Sequence, residues 1–185
     1  RRTLHPNELE PRMKTVAIVQ ARMGSSRLPG KILTLIGDLP LYRIIYDRVC
    51  SSKYVDQVVF ATTTNDQDDV FCEQLRNASI DYFRGSETDV LSRYQASAER
   101  FNADIIVRVT CDDPFKDPKI IDQCLSPLIS NNVEFSSNVI KPTFAEGMDV
   151  ECFVREVLED VNKFANKPYE REHVTPYVYE NINNY

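Results

Sequence analysis

Residues 20–31, QARMGSSRLPGK, combine a flexible backbone with positive charge. Glycine and serine let the backbone approach an anion and direct several N–H groups toward it. Arg22, Arg27 and Lys31 can neutralise a polyphosphate, because lysine acts as a point charge and arginine as a planar fork. The stretch therefore predicts an anion-binding loop. A solvated basic loop is the alternative that composition alone leaves open.

The spacing within this loop excludes the Walker-type motif G-x-x-x-x-G-K-[ST]. Five residues separate Gly24 from Gly30, which is one too many, and Lys31 is followed by Ile32 rather than by a hydroxyl residue. Pro29 also removes a backbone N–H that such a loop would use. The dinucleotide fingerprint G-x-G-x-x-G does not fit either.

Polar, turn-prone segments also follow three apolar runs further along the chain. They are TTTND (62–66), RGSETD (84–89) and TCDDP (110–114). Ligands of open parallel sheets bind beyond the carboxyl ends of the strands. We therefore expect these segments to meet the loop at one edge and to outline a nucleotide-sized site, although each segment alone reads as an ordinary loop.

Carboxylates in two places could hold a hard divalent cation. Asp112 and Asp113 stand where a buried strand stops, and Asp149 follows a glycine turn in EGMDVE. Magnesium often takes only one or two protein carboxylates, together with phosphates and water. Helix capping or turn formation explains an aspartate before proline equally well, and spacing alone does not pair Asp112 with Asp149.

The elements that must position these residues alternate between strand and helix. Short, Val- and Ile-rich runs predict strands buried on both faces, at 15–20, 57–61, 80–83 and 104–109. Helical patterns lie at 40–50, 66–77, 89–101, 117–130 and 155–166. Residues 133–154 read as strand, loop and strand, with antiparallel pairing as one option, and 171–182 as a helix interrupted at Pro176. This order predicts an α/β domain with a mostly parallel sheet flanked by helices.

Composition narrows the class of protein. The net charge of −6 and the pI near 5.0 argue against a nucleic-acid binder. Five scattered cysteines without a C-x-x-C pair are typical of a reduced, cytoplasmic protein. No apolar run approaches the ~18 residues of a membrane span, and no signal peptide is evident. Residues 1–12 are expected to be a leader or a remnant before Met13, and 13–185 a single domain.

Several of these motifs, taken together, resemble the cytidylyltransferases, most closely the branch of spore-coat polysaccharide biosynthesis protein F. Acylneuraminate and 3-deoxy-manno-octulosonate cytidylyltransferases are more distant relatives. The resemblance covers about residues 14–182, and its motifs are QARMGSSRLPGK, TTTNDQDD, FRGSETDVLSRY, VRVTCDDPFKDPKIID, EGMDVECF and REHVTPYVYEN. It implies a Rossmann-like nucleotide-diphospho-sugar transferase fold, CTP and Mg²⁺, and an acceptor that receives CMP while pyrophosphate leaves.

The resemblance also implies roles for individual residues. Arg22, Lys31 and Asp112 are the expected catalytic residues, and Asp112 and Asp149 the expected Mg²⁺ ligands. Arg171, Glu172 and His173 are candidates for acceptor contact or proton transfer, with helix capping and packing as the alternative. The expected nucleotide-binding residues are Ala21, Arg22, Gly24, Ser25, Arg27, Lys31, Thr62, Arg84, Gly85, Ser86 and Asp112.

The chain departs from the family pattern in two places. Relatives usually read Gly-Asp-Cys-Pro after the fourth strand, where this chain has Cys111-Asp112-Asp113-Pro114, and they usually continue beyond YEN. Asp113 could assist the metal or distort the site, and the chain reads as truncated or as a short variant. A glycosyltransferase of the same architecture and a nucleotide-binding module without turnover are the competing interpretations. A homodimer is expected from the resemblance, and the acceptor stays open between a sugar, sugar acid, phosphate or phosphonate.

Overall fold

The computed structural model describes residues 12–25, 27–130 and 133–185. Of the predicted leader, only Arg12 falls within these ranges, and its guanidinium donates to Asp56 at 2.8 Å. The strands of the described residues are β1 (Thr15–Gln20), β2 (Leu35–Ile36), β3 (Leu39–Pro40), β4 (Gln57–Thr63), β5 (Asp81–Gly85), β6 (Ile105–Thr110), β7 (Phe135–Ser137) and β8 (Glu151–Val154).

The helices occupy the segments between and after these strands. They are α1 (Leu41–Cys50), α2 (Asp69–Asn77), α3 (Val90–Arg100), α4 (Pro118–Ile129), α5 (Arg155–Phe164), α6 (Pro168–His173) and α7 (Pro176–Glu180). Asp89 and Asp117 begin α3 and α4, because each side chain accepts a first-turn backbone N–H. Short 3₁₀ helices lie at Lys31–Leu33, Asp66–Asp68 and Ile182–Asn184.

Six strands form one sheet in the order β5-β4-β1-β6-β8-β7. β5, β4, β1 and β6 are parallel, whereas β8 is antiparallel to both β6 and β7. β1 is central, and its Ile18 lies opposite Val59 of β4 and Arg108 of β6. The mostly parallel sheet predicted from the sequence is confirmed, and the 133–154 segment pairs antiparallel.

The core lies on both faces of this sheet. On one face, Phe60 of β4 makes edge contacts with Tyr42 of α1 and Phe71 of α2. On the other, Tyr94 of α3 is fully buried and donates its hydroxyl to the carbonyls of Ile18 and Val109. Burial of strands on both sides explains why β1 and β6 carry apolar residues with little alternation.

A buried carboxylate joins the last helices to the sheet. Glu151 of β8 is only 5% exposed and forms an ion pair with Arg108 of β6. Its other oxygen accepts hydrogen bonds from the hydroxyls of Thr175 and Tyr179. Burial and the neighbouring carboxylate raise the pKa of Tyr179, so its hydroxyl remains a donor. The segment of α6 and α7 is thereby held against the sheet.

Replacing Glu151 with alanine is expected to lower the free energy of unfolding by about 3–5 kcal/mol, because Arg108 would be left as an unpaired buried charge. Urea unfolding followed by circular dichroism measures this. Glu156→Ala, on the exposed side of α5, is the matched control and should change stability by less than ~0.5 kcal/mol. Equal effects of the two substitutions would contradict the assigned role of Glu151.

Candidate active site

A cavity of about 790 Å³ opens beyond the carboxyl ends of β1 and β6. Four segments line it: the loop after β1, the residues that lead into α3, the end of β6 and the α6 region. The lining residues are Gln20, Ala21, Arg22, Ser25, Arg27, Lys31, Ile32, Glu87, Thr88, Asp89, Val90, Arg93, Thr110, Cys111, Asp112, Asn166, Pro168, Arg171, Glu172 and His173. Of the four segments that the sequence predicts to converge, residues 20–31, 84–89 and 110–114 contribute to this lining, whereas residues 62–66 do not.

Backbone hydrogen bonds hold the loop after β1 against the sheet. Ala21 N–H donates to the carbonyl of Ala61, and Met23 N–H donates to Asp68 Oδ1 at 2.7 Å. Asp68 is fully buried and also accepts from the N–H and hydroxyl of Thr63. Gly30, at φ +71°, turns the chain back so that its N–H reaches the carbonyl of Met23. This anchoring favours an ordered binding loop over a freely solvated one.

Lys31 and Asp112 form the central ion pair of the cavity. Lys31 Nζ lies 2.6 Å from Asp112 Oδ2, and both side chains are partly exposed. Burial opposes the charge on Asp112, but the hydrogen bond and charge of Lys31 outweigh it and lower the pKa of Asp112 below its ordinary value of 3.8. Asp112 is therefore a carboxylate at neutral pH, as a metal ligand must be.

Arg22 and Arg27 add positive charge on the same side. Arg22 Nη1 lies 3.5 Å from Glu87 Oε1, and Asn65 Nδ2 donates to the other oxygen of Glu87 at 2.7 Å. Arg27 is exposed and lines the cavity without an ion pair among the described residues. Together with Lys31, these side chains provide the cationic lining that a polyphosphate requires.

The α6 region forms another part of the cavity lining. Arg171 Nε donates to Asp89 at 2.9 Å, and its other nitrogens reach Asn162 and the carbonyl of Ala165, so this guanidinium joins α6 to α3. Glu172 and His173 are exposed to the cavity. Hydrogen bonds between helical segments thus account for the position of Arg171. The side chains of Glu172 and His173 are accessible to a ligand.

A strained turn follows His173 directly. Val174 has φ +71° and ψ −55°, and Thr175 N–H donates to the carbonyl of His173, which defines a γ-turn. Positive φ is costly for a β-branched residue. The Val174 side chain is 1% exposed within the core, and its burial offsets that strain. α6 therefore ends at the cavity edge rather than continuing into α7.

Several predicted nucleotide-binding residues lie outside the cavity lining. Gly24 faces Gln67, and Thr62 is fully buried within β4. Arg84 is used internally: it donates to the carbonyls of Thr63 and Asn65 and pairs with Asp69 at 2.6 Å.

Gly85 and Ser86 also lie outside this lining. Gly85 packs beside the Arg93 side chain, and Ser86 Oγ accepts from Asp89 N–H at 3.0 Å. The nucleotide roles of these two residues, like those of Gly24, Thr62 and Arg84, stay predictions.

The expected second metal ligand, Asp149, is exposed and does not line the cavity. Its segment nevertheless lies close to the Cys111–Pro114 segment, because buried Lys116 donates to the Asp149 carbonyl and pairs with Asp113 at 3.1 Å. Asp113 also accepts from the Thr110 hydroxyl. The extra carboxylate of this chain is thus engaged in internal hydrogen bonding.

The donor set suits a magnesium ion that is completed by ligand oxygens. Within the described ranges, no three His, Cys, Asp or Glu side chains are grouped as a metal-binding cluster. Asp112 presents a carboxylate to the cavity, and one or two such groups suffice for Mg²⁺ when phosphates supply the rest. Asp112 therefore fits the role, and Asp149 stays a prediction.

The sequence pattern did not single out Glu87, Thr110, Asn166 or Arg93 as lining residues. Arg93 carried the clearest signal, because it falls between Val90 and Tyr94 on the apolar face of α3. A charged residue on a buried helical face calls for a partner. The sequence alone does not show that the cavity lies beside this face.

The fold and the cavity define a class: a nucleotidyltransferase fold with a cationic loop after β1 and an aspartate after β6. The Cytidylyltransferase family matches residues 16–185. The structure of a cytidylyltransferase from Leptospira borgpetersenii is 41% identical, with a TM-score of 0.88, and covers 94% of this chain and 74% of that chain. This chain belongs to the cytidylyltransferase family.

Two curated relatives belong to the branches that the sequence motifs resemble. The spore coat polysaccharide biosynthesis protein SpsF of Bacillus subtilis is 32% identical over 166 residues, which are 87% of this chain and 68% of SpsF. The 3-deoxy-manno-octulosonate cytidylyltransferase of Geobacter metallireducens is 32% identical over 121 residues, covering 64% of this chain and 46% of that enzyme. The resemblance to this family is confirmed. None of the helices in the described ranges has both the length and the apolar character of a membrane span.

Replacing Lys31 with methionine is expected to raise the pKa of Asp112, because the hydrogen bond and charge that lower it would be lost. Carboxyl NMR during a pH titration measures this pKa in both proteins. A lowered pKa stabilises the folded state above the unfolded-state pKa, and this contribution disappears as the pH falls through the folded-state pKa.

The stability difference between the wild type and Lys31→Met should therefore vanish in acid, and it should stay below about 1 kcal/mol because the pair is partly exposed. Lys119→Met, on the exposed side of α4, is the matched control for loss of one lysine charge. An Asp112 pKa that is the same in all three proteins would contradict the assigned ion pair.

Proposed function

We propose that this protein transfers CMP from CTP to a sugar or sugar-acid acceptor and releases pyrophosphate. The observation that carries the proposal is the Lys31–Asp112 pair, which lines one cavity with Arg22, Ser25 and Arg27. A cationic loop facing a carboxylate suits a triphosphate whose charge is shared between protein cations and a divalent ion. Membership of the cytidylyltransferase family supports cytidine as the base.

In the proposed reaction, an acceptor oxygen attacks the α-phosphorus of CTP in line with the departing pyrophosphate. The bond from that oxygen to the α-phosphorus forms, and the bond from the α-phosphorus to the α–β bridging oxygen breaks. Lys31 and Arg22 would stabilise the charge that develops on pyrophosphate. When bound to Asp112, Mg²⁺ would neutralise phosphate oxygens.

The acceptor would lie at the α6 side of the cavity. Glu172 and His173 are exposed there and are available to contact it or to remove the proton of an attacking hydroxyl. The names of two relatives, spore coat polysaccharide biosynthesis protein SpsF and 3-deoxy-manno-octulosonate cytidylyltransferase, favour a saccharide acceptor of a surface glycoconjugate. The homodimer and the cytoplasmic location stay predictions.

Thermal unfolding with each of the four ribonucleoside triphosphates, with and without Mg²⁺, tests nucleotide recognition. Ligand at about 100 times its dissociation constant adds about 2.7 kcal/mol, or roughly 5–10 °C for a domain of this size. We expect this shift for CTP with Mg²⁺. Lys31→Ala should abolish most of it, whereas Lys53→Ala, at an exposed site distant from the cavity lining, should retain it.

A shift with CTP would justify a screen of saccharide acceptors in which pyrophosphate release is detected. Binding of CTP without pyrophosphate release for any sugar, sugar acid or phosphate tested would favour a nucleotide-binding module. The absence of a shift with every triphosphate would contradict the proposal.

The metal role is tested with Asp112→Asn and Asp149→Asn. Asp112→Asn is expected to remove the Mg²⁺-dependent part of the CTP affinity, as measured by isothermal titration calorimetry, because the amide is a neutral and weaker ligand. Asp149→Asn shows whether a second aspartate takes part. If Asp112→Asn kept the full Mg²⁺ dependence, the assignment of Asp112 would be wrong.

A further inference from the structure

Arg93 is buried at the wall of the cavity without a carboxylate partner. It is 3% exposed, and Nη1 donates to the carbonyl of Ser86. Nε has no hydrogen-bond partner, and no ion pair joins Arg93 to an acidic side chain of the described residues. A buried charge without a counter-charge is costly. Such an arrangement is expected where a ligand supplies the missing negative charge.

Three other arginines with partly or largely buried side chains contrast with Arg93. Arg108 pairs with Glu151, Arg84 pairs with Asp69, and Arg171 pairs with Asp89. Each of these guanidinium groups has an internal carboxylate and a structural reason for its position. Arg93 has only one hydrogen-bond acceptor within the described residues, the backbone carbonyl of Ser86, so most of its N–H donors have no partner in the protein.

Arg93 lies close to Arg22 and Glu87, and all three residues line the cavity. Burial lowers the pKa of Arg93, and the positive charge of nearby Arg22 lowers it further. Glu87 is close enough for its negative charge to raise the pKa of Arg93, but the Glu87 carboxylate oxygens already interact with Arg22 and Asn65. Two guanidinium groups therefore face the same space with one shared carboxylate between them.

Resting on the proposed function, we propose that Arg93 binds a phosphate oxygen of the nucleotide in the cavity that it lines together with Arg22. Arg93 would donate from the nitrogens that have no internal partner, while Nη1 stays on Ser86. The planar guanidinium suits bidentate contact with a phosphate. The charge of Arg93 is then compensated only in the liganded protein, so the residue contributes to binding rather than to folding.

The position of Arg93 also explains the glycine at 85. A Cβ atom on Gly85 would lie 3.0 Å from Arg93 Cγ and 3.1 Å from the ring of Phe83. The absence of a side chain there leaves room for the arginine stem to pass into the cavity wall. Under the proposal, Gly85 would therefore contribute to nucleotide binding indirectly, through Arg93.

Arg93→Gln and Arg93→Lys test this proposal by calorimetric titration with CTP, CMP, cytidine and inorganic pyrophosphate. Arg93→Gln should weaken the phosphate-bearing probes by at least ~10-fold while cytidine binding stays unchanged, because a charge-assisted hydrogen bond is lost. A loss for CMP would assign Arg93 to the α-phosphate. A loss for CTP and pyrophosphate alone would assign it to the departing group.

Arg100→Gln is the matched control, because it removes the same charge from the exposed end of the same helix. A second readout is the melting temperature without ligand, which Arg93→Gln should leave unchanged or raise, since an unpaired buried charge is removed. If phosphate affinity were retained and the melting temperature fell, Arg93 would merely hold the Ser86 carbonyl and the proposal would be overturned.

The arginine-to-lysine variant decides the question if Arg93→Gln does not fold. Arg93→Lys keeps the positive charge but lacks the planar guanidinium group that makes two parallel hydrogen bonds. Full phosphate affinity of Arg93→Lys would therefore overturn bidentate binding. Normal CTP binding by both Arg93 variants would refute the role of Arg93 and leave the proposed function intact. If Arg93 were needed for pyrophosphate binding but the wild type did not prefer CTP, the role of Arg93 would stand and the proposed function would be refuted. A wild type that binds none of the probes would contradict both the role of Arg93 and the proposed function.

Discussion

The parallel pairing of β1 between β4 and β6 is the constraint on which the site depends. Because these strands run in one direction, the loop after β1 and the Asp112 segment after β6 leave the sheet at the same edge. Asp68, buried after β4, joins the first of these loops to the neighbouring strand through Met23 N–H. Lys31 and Asp112 can meet only because of this arrangement.

The charges of the cavity are mostly balanced before any ligand binds. Lys31 pairs with Asp112, Arg22 with Glu87 and Arg171 with Asp89. These pairs keep the side chains in place and limit repulsion among the cations. Arg27 is unpaired but exposed, whereas Arg93 is buried without a carboxylate, so the buried uncompensated charge of the described cavity lining lies beside α3.

The α6 side of the cavity is built by long-range contacts rather than by local helix propensity. Glu151 of β8 holds Thr175 and Tyr179, and the γ-turn at Val174 ends α6 at His173. Two short helices therefore replace the single interrupted helix that Pro176 predicts. The position of His173 follows from this packing and from the burial of Val174.

The amino-acid sequence by itself determined the four parallel strands, the main helices and the cationic loop, because apolar periodicity and glycine spacing are local signals. It also singled out Lys31 and Asp112, which the structure joins in one ion pair. Tertiary structure alone decided that Arg84 pairs internally and that Arg93 lines the cavity. The sequence does not show whether a charged residue pairs with a protein group or with a ligand. The protein partner lies on a distant segment of the chain, and the ligand is not part of the chain at all.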